Sequence, residues 1–308
     1  MIDFDYDDVD AALADSVRGL CAARLQQPAE GTQPAFTRAW WAELAGLGVL
    51  GLATETGGGS ITTITAAMEQ LGRADAPGPL VETFVAMQLL PPDTGEQVAA
   101  GEQIATVATN RPVAWLPVAD VVVEIEAGTA HLAAVSGEID EVGSLAREPW
   151  GHAQLERVAE LGDARRALAI GDLAVGAYVV GEADHVLHAA AEYASDRVQF
   201  KVPIASFQGV SHPLADSFLH VSAARALVRR AAFALDEDAR GALAQAATAR
   251  RSATRAALDT VLRAHQTYGA MGFTVEGPIG NRSAKIRQVS LAASAPGAAD
   301  RILAAWGI

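Results

Sequence analysis

The second half of the chain carries an apolar repeat that is long enough to require a bundle of helices. Between residues 214 and 235, apolar side chains recur every three or four positions, which is the period of one face of an α-helix. These residues are Leu214, Phe218, Val221, Ala224, Val228, Ala231 and Leu235. A stripe covering about six helical turns must be buried against other helices. We therefore expect one long buried helix here.

Three further segments are predicted to be helical, at residues 164–193, 243–265 and 282–293. The chain uses alanine heavily, and alanine has the highest helix propensity of all residues. Four long helices are sufficient for a four-helix bundle. We predict a C-terminal helical bundle over residues 161–308.

The first third of the chain is also predicted to be helical, with segments at residues 7–25, 37–52 and 61–73. A glycine-rich turn, Gly57-Gly58-Gly59-Ser60, precedes the last of them. Such a turn can bind phosphate, but the Gly-Lys-Ser/Thr of a phosphate-binding loop does not follow. We favour a loop that caps the next helix, with Ser60 or Thr62 as the N-cap. A helical N-terminal domain over residues 1–103 follows.

The middle of the chain has a different character. Short runs rich in valine and alanine lie at residues 104–107, 119–125 and 130–135, separated by turn residues. Residues 153–161 fit either a strand or a helix. We predict a small β domain of about four strands over residues 104–160. The fold class is therefore mainly α, with a shortened sheet between two helical domains.

Composition excludes several classes of function. The net charge is −14, and the lysines and arginines are scattered, whereas nucleic acids and anionic membranes require a basic patch. The most apolar stretch, residues 167–181, is too short to cross a membrane and contains Asp172, so a buried helix is expected. The N-terminus has no signal-peptide pattern. We expect a cytoplasmic protein that binds neither nucleic acid nor membrane.

Cysteine and histidine usage argues against disulfide bonds and metal sites. Cys21 is the one cysteine, so no internal disulfide framework is possible. His185 and His188 have a spacing that can chelate zinc on a helix, but no third ligand is evident. We predict no metal site.

Two polar motifs lie in the last third of the chain. The first is Tyr193-Ala-Ser-Asp-Arg197-Val-Gln-Phe200, followed by Phe207-Gln208, and the second is Gln266-Thr-Tyr-Gly269-Ala-Met-Gly272-Phe273. A weaker segment, Met68-Glu-Gln-Leu-Gly-Arg-Ala74, lies near the N-terminus. In this order and separation they resemble the acyl-CoA dehydrogenase family of flavoproteins. The resemblance implies a helical N-terminal domain, a middle β domain and a C-terminal four-helix bundle.

The resemblance also implies FAD as the cofactor and the oxidation of an acyl-CoA to the 2,3-enoyl-CoA. In the family, the C-terminal domain of one subunit holds the nucleotide part of an FAD whose ring lies in its neighbour. By position, Arg197 would pair with the diphosphate and Phe200 would pack beside it. Gln208 and Gln266 would bond the nucleotide. The backbone at two glycines, Gly269 and Gly272, would approach the ligand closely.

Each of these residues also has an ordinary structural interpretation. Arg197 can form a surface ion pair, Phe200 can belong to the core, and Gln266 with its glycines can form a plain turn between helices. The functional interpretation rests on the whole set in this order.

Two features of the family are missing from the sequence. Residues 108–115 do not match the segments that cradle the flavin ring. The family's catalytic glutamate lies either in a C-terminal loop, which reads Ser294-Ala-Pro-Gly297 here, or near Gly171. Asp172 is the nearest candidate base, although an aspartate in an apolar helix is also typical of an ion pair.

We therefore hypothesise a subunit of a hetero-oligomeric acyl-CoA dehydrogenase that completes the FAD nucleotide site of a homologous partner. The resemblance extends to enzymes that act on bulky steroid side-chain thioesters. Two alternatives stay open. One is a self-sufficient homo-oligomeric dehydrogenase with an unusual base, and the other is a non-catalytic helical interaction protein.

Overall fold

The computed structural model describes residues 6–25, 34–54, 57–274, 277–291 and 302–303. Along this part of the chain, helices come first, strands follow, and helices return. The mainly α fold class is thereby confirmed. The division at residues 103 and 160 stays a prediction, and the strands lie between residues 105 and 163.

The N-terminal part contains helices whose starts are set by local capping residues. Thr37 caps the second helix by accepting from the amide of Trp40, and Ser60 caps the third by accepting from Thr63. The helices are α1 (Asp8–Arg24), α2 (Arg38–Gly46), α3 (Ile61–Arg73), α4 (Leu80–Met87) and α5 (Pro92–Ala99).

The glycine-rich turn before α3 is a capping structure, as favoured from the sequence. Ser60 is the N-cap of α3 and forms a capping box with Thr63. The carboxylate of Asp236 accepts from the backbone N–H of Ile61 at 2.8 Å and of Thr62 at 3.0 Å. These are the amides that a phosphate would bind at a helix N-terminus. The chain therefore fills this anion position with its own side chain.

Five strands form one sheet in the order β1-β3-β4-β5-β2. They are β1 (Ala105–Ala108), β2 (Val113–Ala114), β3 (Val121–Glu126), β4 (Thr129–Val142) and β5 (Trp150–Asp163). The ambiguous residues 153–161 belong to β5, which pairs along β4. Four strands were predicted for this sheet, and β2 is the one that the prediction missed. This strand of two residues is too short to give a sequence pattern and exists through its pairing with β5.

The C-terminal part is the predicted bundle, built from α6 (Arg165–Asp196), α7 (Gln208–Asp236), α8 (Ala242–Tyr268) and α9 (Gly280–Val289). A two-stranded hairpin, β6 (Val198–Gln199) and β7 (Val202–Pro203), joins α6 to α7. Six of the seven residues in the predicted α7 stripe are buried, but Phe218 is 55% exposed. That part of the prediction was wrong, because no other described element covers α7 at this turn.

The N-terminal helices and the bundle share one hydrophobic core. The backbones of helices α3 and α6 are in direct contact at two glycines, one on each helix. A Cβ on Gly72 would lie 2.0 Å from the carbonyl oxygen of Tyr178, and one on Gly181 would lie 2.0 Å from that of Glu69. The sheet has its own smaller core, which packs against α4, α5 and the start of α6.

Candidate functional site

Arg197, Gln208 and Gln266 lie at the same end of the bundle. The rings of Tyr193 near the end of α6 and Tyr268 at the end of α8 stack at 4.4 Å, which holds these two helix ends together. The start of α7 joins them, because Arg263 of α8 donates to the carbonyl oxygen of Pro213 at 2.8 Å. Three residues far apart in sequence are thereby placed on one part of the surface.

The hairpin between α6 and α7 carries Arg197 and Phe200 into solvent. Phe200 is 89% exposed at a backbone φ of +51°, and its ring contacts Phe207 edge-on at 6.1 Å. It is therefore not part of the core. Arg197 is exposed, and its backbone is fixed by bonds to Tyr193 and Ile204. No carboxylate of the described residues lies within ion-pair distance of its guanidinium, so the ion-pair interpretation finds no support.

The first turn of α7 favours a negatively charged ligand. Its N-cap, Phe207, makes no side-chain capping bond, although the helix is 29 residues long. The first amides of a helix lack intrahelical acceptors and carry a positive partial charge that acts within the first turn. Gln208 begins this turn and is exposed. With the guanidinium of Arg197 at the same end of the bundle, the surface suits a phosphate group.

The two glycines of the second motif have different surroundings. Gly269 is exposed at a φ of +60°, and a Cβ there would meet no atom within 4 Å. A ligand can therefore approach its backbone. Gly272 is buried, and a Cβ there would lie 3.2 Å from Nδ1 and from the carbonyl oxygen of His265 and 3.2 Å from Cβ of Tyr268. The geometry gives Gly272 a packing role, and its place in a ligand site stays a prediction.

Asp172 lies in the interior of the bundle. Its side chain is 0% exposed, and its Oδ1 lies 3.1 Å from Nη1 of Arg250. The other terminal nitrogen of Arg250, Nη2, donates to the carbonyl oxygen of Ser290. This arrangement matches the ion-pair interpretation of Asp172. Its role as a base stays a prediction, and the geometry offers it no contact with solvent. The loop at residues 294–297 lies outside the described residues.

A cleft that the sequence did not reveal lies where the N-terminal helices, the strands and the bundle meet. We call it the junction cleft. Its larger part has a volume of about 440 Å³ and is lined by Phe36, Trp115 and Lys285, among others. Its smaller part has a volume of about 30 Å³, which is room for about one water. The smaller part is lined by Glu82, Trp150, Tyr178 and Gln288, among others. Residues so distant in sequence leave no common motif.

Three hydrogen-bonded polar side chains, Glu148, Lys285 and Gln288, lie where the two parts of this cleft meet. We call this group the latch. The Glu148 carboxylate accepts from the ammonium of Lys285 and from the side-chain amide of Gln288. The side-chain oxygen of Gln288 accepts from the backbone N–H of Ala146 at 2.7 Å. Burial alone would lower the pKa of Lys285, but the Glu148 carboxylate raises it above its usual value. Burial raises the pKa of Glu82 to about 7. The smaller part of the cleft is therefore lined by a carboxyl group whose pKa is raised toward neutrality.

Two further properties of the described ranges concern membranes and metal ions. None of the helices there combines the length and the apolar character that a bilayer crossing requires. In the same ranges, no three His, Cys, Asp or Glu side chains are grouped for a metal ion. Nδ1 of His188 lies 2.7 Å from the carbonyl oxygen of Asp184, and burial lowers the pKa of His185 to about 3.

Comparison with known proteins identifies the family. Residues 7–92 match the acyl-CoA dehydrogenase N-terminal domain, and residues 161–299 match the acyl-CoA dehydrogenase C-terminal domain, on either side of most of the sheet. Acyl-CoA dehydrogenase IpdE2 of Mycobacterium tuberculosis is 30% identical over 253 residues, which cover 76% of this chain and 74% of that protein. The chain belongs to the acyl-CoA dehydrogenase family of oxidoreductases.

Two further relatives define the extent of the likeness. The short-chain specific acyl-CoA dehydrogenase of Megasphaera elsdenii is 36% identical over 121 residues, so the match spans 39% of this chain and only 31% of that protein. A chain of the ChsE4-ChsE5 complex from Mycobacterium tuberculosis has the same fold. Its TM-score is 0.84 at 22% identity, and the match covers 98% of this chain and 97% of that one. The expected acyl-CoA dehydrogenase-like fold is confirmed.

Proposed function

We propose that this chain is one subunit of a hetero-oligomeric, FAD-dependent acyl-CoA dehydrogenase. It binds the adenosine diphosphate part of an FAD whose ring is held by a homologous partner subunit. The observation that carries this proposal is the grouping of Arg197, Gln208 and Gln266, all exposed, at the end of the bundle where α7 begins without a side-chain cap. A structural relative that is a complex of two differently named chains, ChsE4-ChsE5, supports the hetero-oligomer.

The exposed end of the bundle fits the nucleotide half of FAD. A guanidinium can give a diphosphate two parallel hydrogen bonds, and the free amides of a helix N-terminus add further donors. The carboxamides of Gln208 and Gln266 both donate and accept, as ribose and adenine require. The open space over Gly269 leaves its backbone accessible.

Where Trp115, Trp150 and Tyr178 line the junction cleft, its volume is about 30 Å³, which leaves no room there for the three fused rings of a flavin. When bound, FAD supplies the oxidising ring that accepts a hydride from the acyl-CoA. Because Asp172 is enclosed in an ion pair, we assign proton abstraction from the thioester to the partner.

The test compares this chain produced alone with the chain co-produced with candidate partner subunits of the acyl-CoA dehydrogenase family, the products of neighbouring genes first among them. We expect a colourless protein alone and a yellow complex that oxidises an acyl-CoA, a steroid side-chain thioester among the substrates tried. Arg197→Ala should weaken FAD retention in the complex by roughly tenfold to a hundredfold, because a hydrogen bond to a charged group contributes about 1.5–3 kcal/mol. Arg18→Ala is the control, since Arg18 is exposed and paired with Asp15 on α1.

Each alternative has its own outcome in this experiment. A chain that is yellow and active when produced alone is a self-sufficient dehydrogenase. A chain that acquires no flavin in either preparation is a helical interaction protein. Wild-type FAD retention in the Arg197→Ala complex would remove the proposed nucleotide site.

A further inference from the structure

The larger part of the junction cleft contains a buried carboxylate that has no cation in contact with it. Asp75 lines this part of the cleft, and only 7% of its surface is exposed. No basic side chain of the described residues lies within ion-pair distance of its carboxylate. Buried charges in proteins are normally paired, because their removal from water is costly. None of the residues that line the cleft belongs to the proposed nucleotide site.

The two cations nearest in this region are each bound by another carboxylate. Nη1 of Arg282 donates to Glu182 at 2.6 Å, and the ammonium of Lys285 donates to Glu148. Burial alone would lower the pKa of Arg282 and of Lys285, but the surrounding carboxylates raise both. Asp75 contributes to both increases from beyond contact distance. Because Glu148 and Glu182 already bind the two cations, the carboxylate of Asp75 is in excess among these described groups.

Stability alone does not favour an aspartate at the position of Asp75. It follows α3 at a φ of +53°. Its backbone N–H donates to the carbonyl oxygen of Gly72 at 3.0 Å, and that of Ala76 donates to Leu71 at 2.9 Å. This is a Schellman C-cap, where glycine is the usual residue because a side chain is strained at positive φ. The C-terminal end of a helix also carries a partial negative charge, which repels a carboxylate and attracts a cation.

Aromatic rings line the same part of the cleft. The rings of Phe36 and Trp115 meet edge-on with their centroids 5.3 Å apart, and both residues line the cleft together with Asp75. The face of an aromatic ring attracts a cation, and the attraction is stronger where water is excluded. The junction cleft already contains one such contact, because the ammonium of Lys285 lies 5.6 Å from the ring centroid of Tyr178. Aromatic rings beside an unpaired carboxylate therefore suit an ammonium group on an apolar body.

We propose that the larger part of the junction cleft binds a small organic amine. The carboxylate of Asp75 binds the ammonium group, and the rings of Phe36 and Trp115 contact the apolar body. The volume of about 440 Å³ is typical of sites for small organic ligands. Arg147 also lines this part, but it is exposed, so water and salt screen its charge more than they screen the buried Asp75.

Isothermal titration calorimetry of the full chain tests this inference with probes that differ in charge. The probes are phenethylamine, phenethyl alcohol and phenylacetate, which are similar in size and carry a positive charge, no charge and a negative charge. We expect phenethylamine to bind roughly tenfold or more tightly than phenethyl alcohol, because a hydrogen bond between charged groups is stronger than a neutral one. Phenylacetate should bind more weakly than either, because Asp75 repels it.

Variants of the lining residues connect this preference to the cleft. Asp75→Gly should weaken phenethylamine binding by roughly tenfold to a hundredfold. It should melt no lower than the wild type, because glycine suits the positive φ at this position. Phe36→Leu should weaken the amine by several-fold through loss of the ring. Asp93→Gly is the control, because Asp93 is exposed on α5 and should leave the affinity unchanged.

Several results would overturn the inference. One is an Asp75→Gly variant that binds phenethylamine like the wild type but melts lower, since Asp75 would then only balance Arg282 and Lys285. Another is a preference for phenylacetate, which would assign the cleft to Arg147. Equal binding of phenethylamine and its alcohol, or no binding of any probe, would also overturn it. The proposed function can fail without affecting these measurements, because the probes are titrated into the chain without its partner or FAD.

Discussion

The carboxylate of Asp172 on α6 and the guanidinium of Arg250 on α8 form an ion pair at 3.1 Å with almost no access to solvent. Their side chains are 0% and 5% exposed. The pair links two helices that also share the core of the bundle. An isolated charge at either position would be expensive, so each residue depends on the other.

Removing one partner of this pair should strongly destabilise the protein. We expect Asp172→Ala to lower the free energy of unfolding by about 3–5 kcal/mol, because it removes a carboxylate paired with the buried charge of Arg250. Urea denaturation of the isolated chain measures this change. Asp15→Ala is the control, since Asp15 pairs with Arg18 on the surface of α1 and its loss should change stability by less than about 1 kcal/mol. Equal midpoints for the two variants would contradict the prediction.

Glu82 should make stability depend on pH. Burial raises its pKa from an ordinary value of 4.5 to about 7, and the like charge of Glu148 adds to the increase. The folded state therefore holds the proton more tightly than the unfolded chain does. The stability from this group is complete below pH 4.5 and is lost as the pH rises toward 7.

Glu82→Gln removes this titration and supplies the measurement. Above pH 7 the variant should be more stable than the wild type by roughly 3 kcal/mol, at about 1.4 kcal/mol per pH unit. The difference should shrink toward zero as the pH falls to 4.5. Glu138→Gln, at an exposed position of β4, should show no such pH dependence. A difference between Glu82→Gln and the wild type that stays constant with pH would show that Glu82 is ionised in the folded protein.

The latch at the junction cleft should protect the loop between β4 and β5. Gln288 accepts from the amide of Ala146, and a net hydrogen bond contributes about 1 kcal/mol. We expect Gln288→Ala to accelerate hydrogen exchange at the Ala146 amide by several-fold to about tenfold. Gln154→Ala, at an exposed position of β5, should leave that amide unchanged. If both variants exchange like the wild type, the latch does not limit opening of the loop.

The carboxylate at the start of α3 should be required for stability and not for ligand binding. Asp236→Ala leaves the amides of Ile61 and Thr62 without an acceptor and should cost about 1–2 kcal/mol. The adjacent Glu237→Ala is a close control, because Glu237 is exposed. Thermal melting of both variants measures the difference. A drop that is no larger in Asp236→Ala than in Glu237→Ala would refute the capping role.

Sequence was most informative where neighbouring residues set the structure. Helix α3 was expected at residues 61–73 and spans Ile61–Arg73, because its cap and its apolar period lie within one short segment. Periodicity was less reliable for Phe218, since it identifies a face of a helix but not whether another element covers it. For β5, the local pattern fitted two structures, and the long pairing with β4 decided between them.

The candidate site shows the same division. The motif around Arg197 and the motif around Gln266 could be read from the sequence, because each is a short run of residues. That they lie at one end of the bundle follows from the packing of α6, α7 and α8, with the Tyr193–Tyr268 stack at its end. The junction cleft had no sequence signal, because Glu82, Glu148 and Lys285 come from three separate parts of the chain.

By itself, the sequence determined the mainly α architecture, the cap of α3 and the two motifs proposed for a nucleotide site, all of which depend on short-range pattern. Tertiary structure alone decided that Asp172 is enclosed with Arg250 and that Phe200 is exposed to solvent. These features arise from contacts between residues far apart in the chain. Their energies exist only once the helices pack, so no local pattern can encode them.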